Sequence, residues 1–176
     1  MRDDGVVVVT DRLVVRRLRA EDAAAIAHYR SDADVARMQS WTTPYPVASA
    51  RALIEDVAGH ELGAPGWTQL GIELAAGGEL IGDLGVNGLD GTTVELGVTL
   101  AQPHWGKGYA TEAGAAVIAH LLGPLGFHVV VASADPGNTR SRALLERLGL
   151  VLVEETATDA HYAHTVVDPT FEAEAS

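Results

Sequence analysis

One stretch limits more than any other how this chain can fold. An apolar strand, Val94 to Leu100, leads through Pro103-His104-Trp105 into Gly106-Lys107-Gly108-Tyr109-Ala110-Thr111-Glu112, which opens a helix predicted to run to about Leu122. The first amides of a helix have no intrahelical partner, and the helix dipole places partial positive charge there. Two glycines leave the amides from Gly106 to Ala110 uncovered by bulky side chains, so a phosphate or pyrophosphate is the natural guest. Lys107 adds a full charge. A Walker A loop would need a glycine where Ala101 stands and a Ser or Thr after Lys107, and a dinucleotide-binding Gly-x-Gly-x-x-Gly would need a glycine at Thr111. The plainer alternative is a glycine-rich helix start that binds nothing.

The pattern around that stretch predicts the rest of the fold. Arg12 to Leu18 alternates apolar and basic residues as a half-exposed strand does. Helices are expected over Ala20–Tyr29, with Glu21 and Asp22 in the first turn, over Asp32–Met38, and over Val47–Leu62, where Gly63 to Gly66 would stop the last. Trp41-Thr42-Thr43-Pro44-Tyr45-Pro46 cannot be helical. Strands then follow at Trp67–Ala75 and Glu79–Leu84, joined by the hairpin turn Ala76-Gly77-Gly78, and at Thr92–Leu100 after a turn at Asp90-Gly91. Beyond the helix at 108–122 come a valine-rich strand, Phe127–Ala134, the turn Asp135-Pro136-Gly137-Asn138, and a helix, Thr139–Leu148, closed by Gly149. Strands at Leu150–Glu154 and Tyr162–Val167 complete a mixed α+β sheet. Residues 10–168 read as a single domain and 169–176 as a frayed tail.

The chain has 176 residues, 47% of them hydrophobic, enough for one domain with a sizeable core. It contains no cysteine, which excludes disulfides and thiolate catalysis and fits a reducing cytoplasm. Met1-Arg2-Asp3-Asp4 is acidic and the run after it, Val6 to Val9, is short, which reads as no secretory signal. The apolar stretch Ala113–Ala134 is broken by His120, Gly123-Pro124, Gly126 and His128, so it is not a membrane span. A net charge of −12 repels nucleic acid and attracts cationic amines. Against that background Lys107, Arg140 and Arg142 suggest a basic pocket for an anionic cofactor meeting a cationic substrate. The seven histidines show no metal-ligand spacing, and no metal is expected.

These elements, together with Thr10-Asp11-Arg12-Leu13 and Arg17, Glu21-Asp22-Ala23, Glu95-Leu96-Gly97, Trp105-Gly106-Lys107-Gly108-Tyr109-Ala110-Thr111-Glu112-Ala113, and Asn138-x-x-Ser141 running on to Leu148-Gly149-Leu150, resemble the GNAT superfamily of N-acetyltransferases. The branch that includes RimJ and RimL is the closer match. The resemblance covers residues 10 to about 168. It implies a mostly antiparallel central sheet flanked by helices, with the fourth and fifth predicted strands splaying apart into a slot. It also implies acetyl-CoA as co-substrate. The pyrophosphate would lie on Trp105, Gly106, Lys107, Gly108, Tyr109, Ala110 and Thr111. The pantetheine arm would follow the backbone of Leu96, Val98 and Leu100, with Asn138 and Ser141 beside it. Asn138 is equally a favoured N-cap for the following helix. Gly97 suits a close approach by a ligand, and an amide there would stabilise an oxyanion at the thioester.

Acetyl transfer by direct attack needs a neutral amine. An α-amine has a pKa of about 7.7–8.0 and a lysine about 10.4, so neutralisation at pH 7 costs roughly 1–1.4 against about 4.6 kcal/mol. An α-amine needs little help, which favours a protein or peptide N-terminus as acceptor over a small-molecule amine such as an amino acid, polyamine or antibiotic. A non-catalytic acyl-CoA sensor is the reading from another class. Glu95, an acid inside an apolar strand, is the lead general base. Asp83, His104, Glu154 and Glu155 stand in reserve. Many superfamily members carry a tyrosine where this chain has Leu145, so Ser141 is the remaining candidate to meet the sulfur. Trp41, Tyr45, Asp83 and Trp67 are expected around the acceptor. The partners implied are acetyl-CoA and a primary amine, with room for a homodimer, and neither nucleic acid nor membrane.

Overall fold

The computed structural model describes residues 5–165. The expected tail at 169–176 and the end of the strand expected to reach Val167 lie outside them. Eight strands form one sheet: β1 (Val6–Val9), β2 (Leu13–Arg17), β3 (Gly66–Leu74), β4 (Leu80–Gly88), β5 (Thr93–Leu100), β6 (Val129–Ala134), β7 (Val151–Glu155) and β8 (Ala160–Thr165). Their spatial order is β1-β2-β3-β4-β5-β6-β8-β7. Every neighbouring pair is antiparallel except β5 and β6, which are parallel. The helices are α1 (Ala23–Arg30), α2 (Ala33–Ala36), α3 (Val47–Val57), α4 (Tyr109–Leu122) and α5 (Thr139–Arg147). This is the mixed, mostly antiparallel α+β architecture expected.

The expected splay falls between β5 and β6. Their pairing covers only Thr93, Glu95 and the residue between them, set against Val129–Val131. Past that point β6 pairs with β8 alone, and β5 from Leu96 onward with β4 alone. Backbone groups alternate in direction along a strand. Thr92 O accepts from His128 N and Val129 N on the β6 side, so the N–H and C=O of Leu96 and Val98 point the same way, into the gap.

Side chains alternate too. Val94, Leu96 and Leu100 join Leu13, Val15, Leu70, Ile72, Leu84 and Val86 in a core closed by Ala113, Val117 and Leu121 of α4. Each such leucine or isoleucine withdrawn from water contributes about 1.5–3 kcal/mol. Glu95, Gly97 and Thr99 stand opposite Asn87, Gly85 and Asp83 on the other face. There α1 and α3 bury Ile26, Tyr29, Ala50 and Ile54 in a smaller core.

Two buried ion pairs tie α1 and the turn before it to this second face. Arg16 donates to Asp22 at 2.8 and 2.9 Å and to Glu73 at 2.6 Å, and its hydrogen bonds to Asp22, aided by Glu73, raise the guanidinium pKa against the cost of burial. Arg30 donates to Asp83 at 3.1 and 3.2 Å, and Tyr29 adds a short hydrogen bond to the same carboxylate. Burial first, then the Asp83 charge, hold the Tyr29 hydroxyl well above its ordinary pKa.

Several boundaries differ from the sequence expectations. Val6–Val9 is an edge strand paired with β2, not merely a short apolar run. β4 continues to Gly88 instead of ending at Leu84. Its glycines lower strand propensity, yet they fit close neighbours: a Cβ at Gly82 would lie 2.2 Å from Thr99 O, and one at Gly88 1.9 Å from Gly63 O. Helix α3 stops at Val57, ahead of Gly59, not at Leu62, since glycine inside a helix is about 1 kcal/mol worse than alanine. The helix expected at Ala20 begins as a 3-10 turn whose Asp22 is turned inward to Arg16. The helix expected over Asp32–Met38 covers only Ala33–Ala36.

Candidate functional site

A cleft of about 1110 Å³ opens over the splayed strands. Its walls include Val98 and Leu100 of β5, Trp105, Gly106 and Gly108 of the turn, Tyr109, Ala110 and Thr111 of α4, and Asn138, Arg140, Ser141 and Arg147 around α5. Gly106 (φ +73°) and Gly108 (φ +82°) both occupy the left-handed region that glycine alone enters without strain. Gly108 N-caps α4 without a side chain, and the first helical bond runs from Glu112 N to Gly108 O. From Gly106 to Thr111, consequently, no backbone amide has a partner among the described residues. That is an anion cradle open to the cleft.

The turn is held from outside. Glu112 accepts hydrogen bonds from Thr10 Oγ1 (2.6 Å), Arg12 N (3.1 Å) and Arg12 Nε (2.7 Å). Arg12 also donates to Lys107 O at 3.0 Å and stacks 4.5 Å from the centre of the Tyr109 ring. Partial burial works against the Glu112 charge, but the bonds from Thr10 and Arg12 and the Arg12 charge outweigh it, so this carboxyl sits below the ordinary glutamate range.

The expected basic residues divide. Lys107 is exposed and is not among the residues lining the cleft. Arg142 is turned to Glu155 (2.8 Å) and the Tyr162 hydroxyl (3.0 Å). Arg140 does line the cleft, stacked 4.1 Å from the centre of the Trp105 ring. The sequence reading missed Arg147, which lies beside Thr111 at 3.4 Å, and Arg37, which lines the cleft paired with Asp34. Arg147 is in the last turn of α5, where a basic residue reads simply as a favourable dipole partner.

A second cleft of about 660 Å³ continues from the first, sharing Val98, Asn138 and Ser141 with it. It occupies the other face of the sheet and is lined by Glu95, Leu96, Gly97, Trp41, Trp67 and Asp83, among others. Glu95 is half-buried and has no hydrogen-bond or ion-pair partner among the described residues. Gly97 faces open space, with nothing within 4 Å of the position its Cβ would take. Its own amide faces β4, so the amides available to a ligand in the gap are those of Leu96 and Val98. Asn138 caps α5, its Oδ1 accepting from Ser141 N at 3.1 Å. Leu145 is buried and adds no polar group.

Not every expected acceptor residue meets here. Trp41 and Trp67 line the second cleft, whereas Tyr45 packs beneath it against Arg30, 5.3 Å from guanidinium to ring centre. Asp83 is only 3% exposed and is committed to Arg30 and Tyr29. Of the reserve acids, Glu155 pairs with Arg142 and Glu154 lies exposed on β7. His104 lines the first cleft, 3.3 Å from Glu79. Among the described residues no group of three or more His, Asp or Glu side chains is placed to hold a metal ion, and no helix is long and apolar enough to cross a membrane.

Comparison with known proteins points to one family. Residues 12–151 match the family model described as an acetyltransferase (GNAT) domain. A curated relative, the uncharacterized N-acetyltransferase p20 of Bacillus licheniformis, is 32% identical over 142 residues, 79% of each chain. Among solved structures, Mycobacterium smegmatis RimJ in complex with CoA-disulfide superposes with a TM-score of 0.74 at 23% identity, over 89% of this chain and 83% of that one. RimL, a ribosomal alpha-N-protein acetyltransferase in complex with coenzyme A, gives 0.75 at 16% identity over 92% and 98%.

Proposed function

The chain belongs to the GNAT acetyltransferase family, and we propose that it moves the acetyl group of acetyl-CoA to the α-amine of a protein or peptide N-terminus in the cytoplasm. The observation that carries this reading is the row of unpartnered amides from Gly106 to Thr111, opening onto a cleft that follows the unpaired edge of β5 into a second cleft. An acetyl-CoA phosphate group fits those amides, with Arg140 and Arg147 beside them, and an extended amide-bearing arm fits the free N–H and C=O of Leu96 and Val98. Bound there, acetyl-CoA supplies an activated acyl group at the junction of the clefts.

The chain's own residues then have distinct tasks. The amide of Leu96 or Val98 donates to the thioester carbonyl oxygen and withdraws charge from it. Glu95 faces the second cleft with a free carboxylate and takes the proton of the incoming amine, directly or through one water. Asn138 and Ser141 stand where the clefts meet, beside the place of the leaving sulfur. The α-amine is the acceptor that a single carboxylate can neutralise, and RimL, with the same fold, acts on a protein N-terminus.

A thiol-release assay with acetyl-CoA and a panel of N-terminal peptides, amino acids, polyamines and aminoglycosides tests this. Turnover is expected with peptides. Turnover confined to small amines would replace the acceptor, and tight acetyl-CoA binding with no turnover on any amine would make the protein a sensor.

The Glu112 clasp yields a pH-dependent expectation for the same site. Its folded pKa lies below the ordinary value of 4.5, so the ionised form is the one the fold favours. The clasp is complete above about pH 4.5 and is lost as pH falls through the folded value. By calorimetric titration at neutral pH, Glu112→Gln should bind acetyl-CoA roughly tenfold more weakly, about 1.4 kcal/mol. The gap should close as the wild type is taken into acid. Equal affinities at neutral pH would show that the clasp does not shape the cradle.

A further inference from the structure

The second cleft has a charge pattern that one reacting amine does not explain. Glu95, Asp135 and Asp159 all line it, and none is ion-paired among the described residues. Asp135 accepts from Gly137 N at 2.7 Å and Asp159 from Thr158 Oγ1 at 2.7 Å, which fixes both carboxylates in place without neutralising them. Among the described residues the single cationic one of the lining is Arg30, and its charge is matched by buried Asp83. Three uncompensated negative charges therefore face the acceptor. In the first cleft, by contrast, Asp34 is paired with Arg37 and Glu112 with Arg12, which leaves Arg140 and Arg147 as the charges of its lining without an ion-pair partner among the described residues.

An amine must be neutral when it attacks, so it calls for one carboxylate, the one that takes its proton. Glu95, on the strand beside Leu96 and Val98, fills that place. Asp135 and Asp159 are left over, on the wall formed by the turn before α5 and the turn between β7 and β8. A second, independent feature lies at the floor. Arg30 is only 6% exposed and lines the cleft, yet its Nε is buried with no hydrogen-bond partner. A buried donor without an acceptor costs free energy, and a carbonyl oxygen of the bound molecule would satisfy it. Trp67, 43% exposed on the cleft wall, offers an aromatic face to a cation.

Resting on the reading of this chain as a peptide N-terminal acetyltransferase, we propose that its acceptor carries a basic side chain within the first few residues after the N-terminus, held by Asp135 and Asp159, while a peptide carbonyl meets Arg30 Nε. The carbonyl distinguishes this acceptor from a linear diamine, which offers two cations and no such oxygen. The two aspartates act through charge, so their effect is steepest at low salt, where screening is weakest.

The test is initial-rate kinetics of the full chain with acetyl-CoA and three peptides that share an N-terminal serine but continue with lysines, alanines or glutamates. The lysine peptide should have a KM at least tenfold below the alanine peptide, and the glutamate peptide the highest. The ratio should shrink as ionic strength rises from about 0.1 M to about 1 M. Asp135→Asn with Asp159→Asn keeps the local acceptor geometry and should bring the lysine-to-alanine KM ratio close to one. Three equal KM values, or a preference for the glutamate peptide, would overturn the inference while leaving peptide acetylation standing. A linear aliphatic diamine with a lower KM than the lysine peptide would overturn the peptide assignment. Absence of turnover with every peptide would remove the function on which the inference depends.

Discussion

Replacing Gly97 with valine is expected to lower kcat/KM for the acceptor roughly 100-fold and to leave the fold intact. Gly97 stands directly opposite Gly85 across β4 and β5, and the space its side chain would enter is open for 4 Å. That space is the second cleft, beside Glu95 and the free edge of β5. A β-branched residue suits a strand, so thermal unfolding should show little change. The added methyl groups would stand in the path of the amine toward the thioester, and a displacement of about 1 Å from a productive approach costs on the order of 100-fold. Acetyl-CoA affinity should change less than about threefold, since in the proposed placement the arm follows the Leu96 and Val98 backbone and does not cross the Gly97 Cα. An equal loss of cofactor binding would mean that the two clefts do not divide the substrates in this way.

Asp83→Ala should produce the largest loss of stability, about 3–5 kcal/mol, because it strands a buried guanidinium without its partner. At about 2–4 °C per kcal/mol for a chain of this size, the melting temperature should fall by roughly 6–20 °C. Tyr29 would lose its acceptor in the same step. Arg30→Met combined with Asp83→Leu should recover much of the loss, since an apolar pair of similar volume avoids the cost of burying charge. A double-mutant cycle in which the two single losses simply add would show that Arg30 and Asp83 are energetically independent, contrary to their 3.1 Å contact.

Legibility in the sequence followed the range of the interactions. The cradle could be read because Gly106, Gly108 and the helix start are neighbours in the chain, and the cap at Asn138 because its partner is Ser141. The strands of the meander were marked by the turns between them, Ala76-Gly77-Gly78 and Asp90-Gly91, although nothing local showed that β4 runs on to Gly88. What escaped notice depended on residues far apart. Glu112 gives no sign in the sequence that Thr10 and Arg12 will hold it, and nothing local to Lys107 tells that Arg147, forty residues on, also lines the cleft wall. Asp83 reads as an acid available to substrate. Only the packing of α1 on the sheet shows that it is bound to Arg30 and Tyr29. Val6–Val9 could be recognised as a strand only through its pairing with β2.

The unpaired stretch of β5 gives the sheet an internal edge. Edges are where sheets recruit other chains, and here the vacancy lies between two strands that already belong together. A ligand laid along Leu96 and Val98 acts as a missing strand, so it contributes to the stability of the fold as well as reacting on it. At a hundredfold excess over its Kd, any ligand that binds only the folded chain adds about 2.7 kcal/mol. If acetyl-CoA is that ligand, as proposed, the protein's resistance to unfolding follows the supply of its own donor, rising as the donor accumulates and falling as it is spent.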